Sequence, residues 1–151
     1  MPQPDPIRVF VTHAFEPHDD YLRVFEYLES ARNFYYRNCS APEQRPVNQS
    51  AEGLHDALRQ QMTNAEVVVA LSSLYAERRD LLLFQLNFAK ASDKPVVLLP
   101  GFGREVVLPA AVMQMSSERA RWEQRGLVDA IRHQARHEET TRWDTIEFKI
   151  D

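Results

Sequence analysis

The chain has 151 residues, of which 44% are hydrophobic, and this length and composition suit one domain with a substantial core. A net charge of −4 and an isoelectric point of about 5.7 argue against a general nucleic-acid-binding protein. The single cysteine, Cys39, excludes an internal disulfide and a zinc site built from several cysteines.

The first strand–helix unit follows a short irregular lead. Residues 1–6 contain three prolines and predict no regular structure. Residues 7–12, IRVFVT, predict a buried strand. A polar loop follows, and Asp19 or Asp20 is predicted to cap a helix that extends to about residue 30.

The second unit begins with a short aromatic segment. Residues 33–37, NFYYR, predict a strand at the edge of the sheet. Residues 38–49 form a polar loop with two prolines, which is long for a compact domain and therefore a candidate for function. Ser50 is predicted to cap a helix over residues 51–62.

The chain is organised around residues 66–99. The apolar runs at residues 67–71 and 96–99 have the length and β-branched content of buried parallel strands. Residues 79–91 between them predict one helix, which completes a β-α-β unit. Ligands of such units bind where loops leave the carboxyl ends of the strands.

The last part of the chain predicts smaller elements. Residues 106–115 predict a short helix, residues 119–122 a minor fifth strand and residues 127–134 a final helix. Residues 138–151 have roughly alternating apolar residues and predict an extra strand or an arm that docks on a neighbouring subunit.

Five strands that alternate with helices predict a single α/β domain over residues 1–151 with a mostly parallel sheet. The expected strand order is 2-1-3-4-5, the flavodoxin-like arrangement, in which the loops after strands one and three flank the ligand crevice. Because residues 1–10 lack the apolar core of a signal peptide and no apolar run approaches about 18 residues, we expect a cytoplasmic protein without a membrane partner.

Several functions known for this architecture require residues that this chain lacks. The third strand ends in Leu71-Ser72, so the aspartate of a phosphoacceptor receiver is missing. The loop after strand one has no glycine, which argues against FMN, and the chain has no GxGxxG, Walker or G-x-S-x-G motif. His133 and His137 have helical spacing but no third ligand, so we expect no metal.

An ordered set of segments resembles the TIR-like domains of bacterial antiphage systems, above all the signal-producing subunit of Thoeris defence. The segments are VFVTHAF, NFYYRNCSAPE, ALRQQM, VVVALSSLY and LLLFQLNFAKASDKPVV. The resemblance covers roughly residues 7–135. Its most specific parts are the His-Ala-Phe after the first strand, the Arg-Asn-x-Ser-x-Pro loop, and the helix that leads into Ala-Lys-x-x-x-Lys-Pro.

The resemblance implies that NAD+ is a substrate and that no cofactor is needed. Enzymes of this kind act as NAD+ glycohydrolases or ADP-ribosyl cyclases: they release nicotinamide and form ADP-ribose, a cyclised isomer or a conjugate. In Thoeris the product is a second messenger that activates a separate effector protein, and a phage component can act as the trigger. Sites shared between subunits are common in this family, so the resemblance also implies a homo-oligomer.

Gln85 is the residue at which the chain departs from the family. Alignment on Ala-Lys-x-x-x-Lys-Pro places it where the family has a catalytic glutamate early in the helix after strand three. A carboxylate there stabilises the positive charge that develops on the ribose as the N-glycosidic bond breaks. Because glutamine has no charge, we expect the chain as written to be nearly inactive.

Two origins explain a glutamine at this position. One is natural decay into a binding or scaffold module, and the other is an engineered replacement of glutamate that holds substrate without turnover. The surrounding polar and aromatic residues favour the second. Without the resemblance, the simplest interpretation is that Gln85 lies on the exposed side of its helix.

The aromatic and imidazole candidates lie near the predicted crevice. Phe15 and Tyr75 are candidates to stack on the nicotinamide or adenine ring, although either is equally suited to the core. His13 is a candidate to bond a ribose or phosphate oxygen, or it caps the end of the strand.

The polar candidates lie in the loops. Asn38 and Ser40 match the family loop after strand two and are candidates for ribose contacts, with local turn hydrogen bonds as the alternative. Arg37 or Arg79 is a candidate to pair with the pyrophosphate, with a solvated side chain as the alternative. Ser72 follows strand three and is a candidate donor to the substrate.

Three functions from different classes are therefore open. The first is an NAD+-cleaving TIR-like enzyme of antiphage defence. The second is a non-catalytic TIR-like adaptor or nucleotide-sensing module. The third is another N-glycosidic enzyme on the same fold, such as a nucleoside deoxyribosyltransferase, which requires a carboxylate nucleophile in the crevice.

Overall fold

Five parallel strands form the centre of the computed structural model, which describes residues 5–137. The strands are β1 (Ile7–Val11), β2 (Tyr36–Asn38), β3 (Val67–Leu71), β4 (Val96–Leu99) and β5 (Glu118–Arg119). Their order in the sheet is β2-β1-β3-β4-β5, and each neighbouring pair is parallel. The predicted α/β class and the flavodoxin-like strand order are confirmed.

Six helices connect and cover the strands within the described residues. They are α1 (Asp19–Glu29), α2 (Ala51–Thr63), α3 (Ser73–Glu77), α4 (Arg79–Ala91), α5 (Ala110–Met113) and α6 (Gln124–Arg136). Helix α1 packs with α6, and α2 packs with α4, as in a doubly wound domain with helices on two faces. No helix in residues 5–137 combines the length and the apolar character that crossing a membrane requires.

The central strands are buried because both faces of the sheet are covered. All five residues of β3 and all four of β4 are buried, which explains their uninterrupted aliphatic sequence. The edge strand β2 is short and largely exposed, and the carboxyl ends of β1 and β3 meet at the point where the strand order reverses. That point is where a ligand crevice is expected.

Several predicted boundaries differ from the structure. β2 begins at Tyr36 because Asn33, with a φ of 57°, turns the chain after α1, and pairing with β1 starts at Tyr36. The cap of α1 is His18, whose Nδ1 accepts from the backbone N–H of Asp20, so the prediction of Asp19 or Asp20 as the cap is wrong.

Other differences concern short or terminal elements. Helix α3 is not predicted from the sequence, α5 is shorter than expected and α6 is longer. The cap of α2 by Ser50 is confirmed, since its hydroxyl accepts from the backbone N–H of Gly53 at 3.2 Å. The predicted arm or strand at residues 138–151 lies outside the described residues, as do residues 1–4.

Candidate functional site

Gln85 joins α4 to the end of β1. Its side chain is 0% exposed, so the interpretation that it lies on the exposed side of its helix is wrong. Its Oε1 accepts from the backbone N–H of His13 at 3.1 Å, and its Nε2 donates to the backbone carbonyl of His13 at 2.9 Å. The same Nε2 also donates to the carbonyl of Leu81 at 2.9 Å. The amide therefore matches the donor and the acceptor of one residue just after β1.

This arrangement suits an amide better than an ionised carboxylate. A carboxylate in the same place would accept from the His13 N–H but would face the carbonyl oxygens of His13 and Leu81 with no proton to donate. A protonated carboxyl group keeps one acceptor and one donor and so preserves part of the contact. A charged group at position 85 is therefore disfavoured in this contact with the backbone of His13.

His13 is a neutral histidine held by two hydrogen bonds. Burial lowers the pKa of its imidazole to about 4, and the side chain is 1% exposed. Nδ1 accepts from the backbone N–H of Phe15 at 3.1 Å, which places the ring proton on Nε2. Nε2 then donates to Oε1 of Gln61 at 2.8 Å. To contact a ribose or phosphate oxygen, His13 would have to release one of these partners.

The buried imidazole predicts a loss of stability in mild acid. The unfolded pKa is about 6.5 and the folded pKa about 4, so the unfolded chain binds more protons between these values. The contribution of the neutral His13 imidazole to stability is therefore fully present above about pH 6.5 and falls by about 3 kcal/mol as the pH approaches 4. Urea unfolding at about pH 7 and about pH 4.5 measures the change. In His13→Gln the difference between these two pH values should be smaller by about 2.5 kcal/mol, and an equal difference in both proteins would contradict the prediction.

Gln61 is a functional candidate that sequence reasoning missed. Its Oε1 accepts from the N–H of Ala41 at 2.9 Å and its Nε2 donates to the carbonyl of Ala41 at 3.1 Å. Since the same Oε1 accepts from His13, this one side chain fastens the loop after β2 to the end of β1. Gln61 thus makes with the backbone of Ala41 the same paired contact that Gln85 makes with the backbone of His13. Nothing in the sequence of α2 distinguishes Gln61 from its neighbour Gln60.

Phe15 is packed into the interior beside His13. It is 3% exposed, and the centre of its ring lies 4.8 Å from that of His13 in an edge-on arrangement. Its φ of 58° is unusual for a bulky residue and turns the chain sharply after β1. Its carbonyl accepts from Nη2 of Arg45 at 2.5 Å, so the loop after β2 is bonded to this turn as well.

Asn38 and Ser40 take part in a local turn at the end of β2. Oδ1 of Asn38 accepts from the backbone N–H of Ser40 at 2.9 Å and also from its hydroxyl. Tyr21 from α1 contacts both residues, at 3.2 Å from Nδ2 of Asn38 and 2.9 Å from Oγ of Ser40. Burial raises the pKa of the Tyr21 phenol. These contacts fit the alternative that the pair stabilises a turn.

The serines after β3 are also bonded within the protein. The Ser72 hydroxyl donates to the carbonyl of Leu99 at 2.6 Å. Ser73 donates to Oδ2 of Asp20 at 2.8 Å, and Arg23 holds the other oxygen of Asp20 at 3.2 Å. Asp20 is therefore a buried carboxylate at the carboxyl edge of the sheet, where the sequence suggested only a helix cap.

Tyr75 and Arg79 form one pair at the junction of α3 and α4. The guanidinium carbon of Arg79 lies 4.6 Å from the centre of the Tyr75 ring, a cation–π contact. The half-buried ring of Tyr75 and the exposed Arg79 therefore face each other. A bound base or pyrophosphate would have to replace this contact or extend it.

The structure divides the predicted site residues into two groups. Arg37, Asn38 and Ser40 line a groove of about 1210 Å³ beside β2. The other candidates surround the ends of β1 and β3 and do not belong to the described lining of that groove. They are His13, Phe15, Ser72, Tyr75, Arg79 and Gln85. Gln61 connects the two groups, because it lines the groove and bonds to His13.

Comparison of the chain with protein-family models finds no match, and comparison with curated proteins finds no match either.

Proposed function

We propose that this chain is an NAD+-directed TIR-like domain of bacterial antiphage defence whose cleavage activity is suppressed by Gln85. The observation on which the proposal depends is the position of Gln85, buried and bonded to the residue that follows β1, at the reversal point of the sheet. The ordered motifs from the first strand to Lys94-Pro95 support the same family. A cytoplasmic homo-oligomer that signals to an effector protein through its product is part of the proposal.

The proposed chemistry is cleavage of the bond between nicotinamide and ribose. Positive charge develops on the ribose as this bond breaks, and a nearby carboxylate stabilises it. Gln85 supplies the shape of that group without its charge. The products of the active form are nicotinamide and ADP-ribose, a cyclised isomer or a conjugate, which serves as the second messenger.

A non-catalytic adaptor or nucleotide sensor is the second candidate. A specific observation favours it: the amide of Gln85 bonds through both of its polar atoms to the backbone, so glutamine has a structural role of its own at this position. This candidate predicts nucleotide binding or protein binding without turnover, whichever residue occupies position 85.

The experiment that separates the two candidates is incubation of the chain and its Gln85→Glu variant with NAD+, followed by quantification of nicotinamide. The enzyme proposal predicts release by the variant and almost none by the unaltered chain. Equal absence of release in both would leave the adaptor as the better proposal.

A further inference from the structure

A groove beside the edge strand β2 has the size of a small-molecule site. Its volume is about 1210 Å³, which exceeds the roughly 300–1,000 Å³ of typical small-molecule sites and leaves room for a nucleotide. It lies between β2, the loop that follows β2 and the C-terminal half of α2, and Lys94 before β4 reaches it. The groove is therefore open to a ligand without any change in the sheet.

The charge of the groove is opposite to that of the chain. Its lining includes three cationic side chains, Arg8, Arg37 and Lys94, and one acidic side chain, Glu43. The whole chain carries a net charge of −4, so this region is a local concentration of positive charge on an acidic protein. Such a lining favours an anionic ligand.

Two of the three cations are held in place by the end of α2. Nε of Arg8 donates to the carbonyl of Asn64 at 2.8 Å and lies 3.8 Å from Glu66. Nζ of Lys94 donates to the carbonyls of Thr63 at 3.1 Å and Ala65 at 2.7 Å. Their positions are therefore fixed before any ligand arrives, which reduces the entropy that binding would cost.

Arg37 is the cation that remains available. It is exposed, and within residues 5–137 it has neither an ion pair nor a hydrogen bond from its side chain. Its guanidinium presents several N–H groups in a planar arrangement that matches two phosphate oxygens. Arg37 can therefore contact an incoming phosphate directly, while the two fixed cations add to the attraction.

We propose that this groove binds the diphosphate of a nucleotide, with Arg37 in contact with the phosphate and Arg8 and Lys94 as fixed positive charges beside it. The diphosphate determines whether a ligand binds, and the base and sugar extend along the loop after β2. The proposal requires no cleavage of NAD+ in the crevice, so the two proposals can fail separately.

The reactivity of Cys39 can be used to detect a ligand in the same groove. Cys39 is half-buried, lines the groove and is the only cysteine of the chain. Burial raises the pKa of its thiol, and the charges of Arg37, Arg8 and Lys94 oppose that shift. A bound diphosphate would cover the thiol and neutralise these cations, and both effects slow alkylation.

The test is the rate at which iodoacetamide alkylates Cys39, followed by intact mass at constant ionic strength. ADP and inorganic pyrophosphate should each slow the reaction about tenfold at a concentration ten times the Kd. Adenosine, which has no phosphate, should leave the rate unchanged. Protection is expressed as the ratio of rates with and without ligand, so a change in the intrinsic reactivity of a variant does not affect it.

A matched pair of variants tests Arg37. Arg37→Gln should abolish protection by ADP and by pyrophosphate, whereas Arg32→Gln, at another exposed arginine, should retain it. Both positions are exposed, and thermal unfolding verifies that both variants fold. Unchanged alkylation with ADP, protection by adenosine equal to that by ADP, or protection that persists in Arg37→Gln would each overturn the proposal.

Discussion

Replacing Gln85 with alanine is expected to lower the free energy of unfolding by about 3 kcal/mol. The fully buried amide makes two hydrogen bonds to the backbone of His13 and one to the carbonyl of Leu81. Alanine removes the partner of the His13 N–H and carbonyl in the interior and leaves a cavity. Urea unfolding measures the loss, which corresponds to a fall in Tm of roughly 6–12 °C for a domain of this size.

Asn87→Ala is the matched control for this prediction. Asn87 lies on the same helix as Gln85, two positions later, but its side chain is exposed. Its replacement is expected to change the free energy of unfolding by no more than about 0.5 kcal/mol. If Gln85→Ala were as mild as Asn87→Ala, the amide would not fasten α4 to β1 as described.

Gln85→Glu is expected to raise the rate of NAD+ cleavage by about 10²–10³-fold, because an electrostatic stabiliser of the developing positive charge is restored. Nicotinamide release, followed by chromatography, measures the gain. Asn87→Glu adds a carboxylate to the exposed side of the same helix and is expected to produce no gain. Equal rates for Gln85→Glu and the unaltered chain would remove the enzyme proposal.

Gln85→Glu is expected to lose stability and gain activity as the pH rises. In the place of the amide, the introduced carboxyl faces two carbonyl oxygens, so its pKa is expected to lie above that of an exposed glutamate. Below that pKa the protonated group renews part of the contact with His13. As the pH rises through it, the charged group leaves His13 for the crevice, so this contribution to stability is lost while activity appears. The unaltered chain is measured beside the variant, because the buried His13 makes both proteins more stable as the pH rises from about 4 to about 6.5. A variant whose stability relative to the unaltered chain rises with pH together with its activity would contradict this mechanism.

The central buried strands β3 and β4 are predictable from sequence because they are continuous aliphatic runs, which are typical of a parallel sheet covered on both faces. The alternation of five strands with helices then favours the doubly wound strand order. Helix α3 is not predictable, since its five residues are too few for a periodic pattern and Ser72, the residue before it, makes no capping hydrogen bond with its side chain. The cap of α1 is missed because histidine is not among the usual capping residues, although its Nδ1 accepts the same bond here.

The candidate site is only partly predictable for a different reason. Gln85 is recognisable as a lone amide in an apolar helix, but its partner His13 lies 72 residues earlier in the chain. Gln61 and Asp20 have no such local signal, because their roles depend on contacts that the fold creates with Ala41, His13 and Ser73. Long-range hydrogen bonds of this kind become visible only once the elements are placed together.

The buried carboxylate of Asp20 bears on the third function, a different N-glycosidic enzyme. A nucleophile for that reaction must be free to approach the sugar. The two oxygens of Asp20 are instead bonded to Ser73 and Arg23, and the residue is 6% exposed. Its hydrogen bond to Ser73 ties α1 to the start of α3, so its role in this arrangement is structural.

The most direct test of the NAD+ site is a titration of the unaltered chain with NAD+, observed through the backbone amides by NMR. The proposal predicts saturable shifts at residues 13–15 and 72–75, around the ends of β1 and β3, beyond those that ADP or pyrophosphate produces. Shifts limited to the groove beside β2, or no saturable shift with NAD+, would contradict an NAD+ site in this crevice.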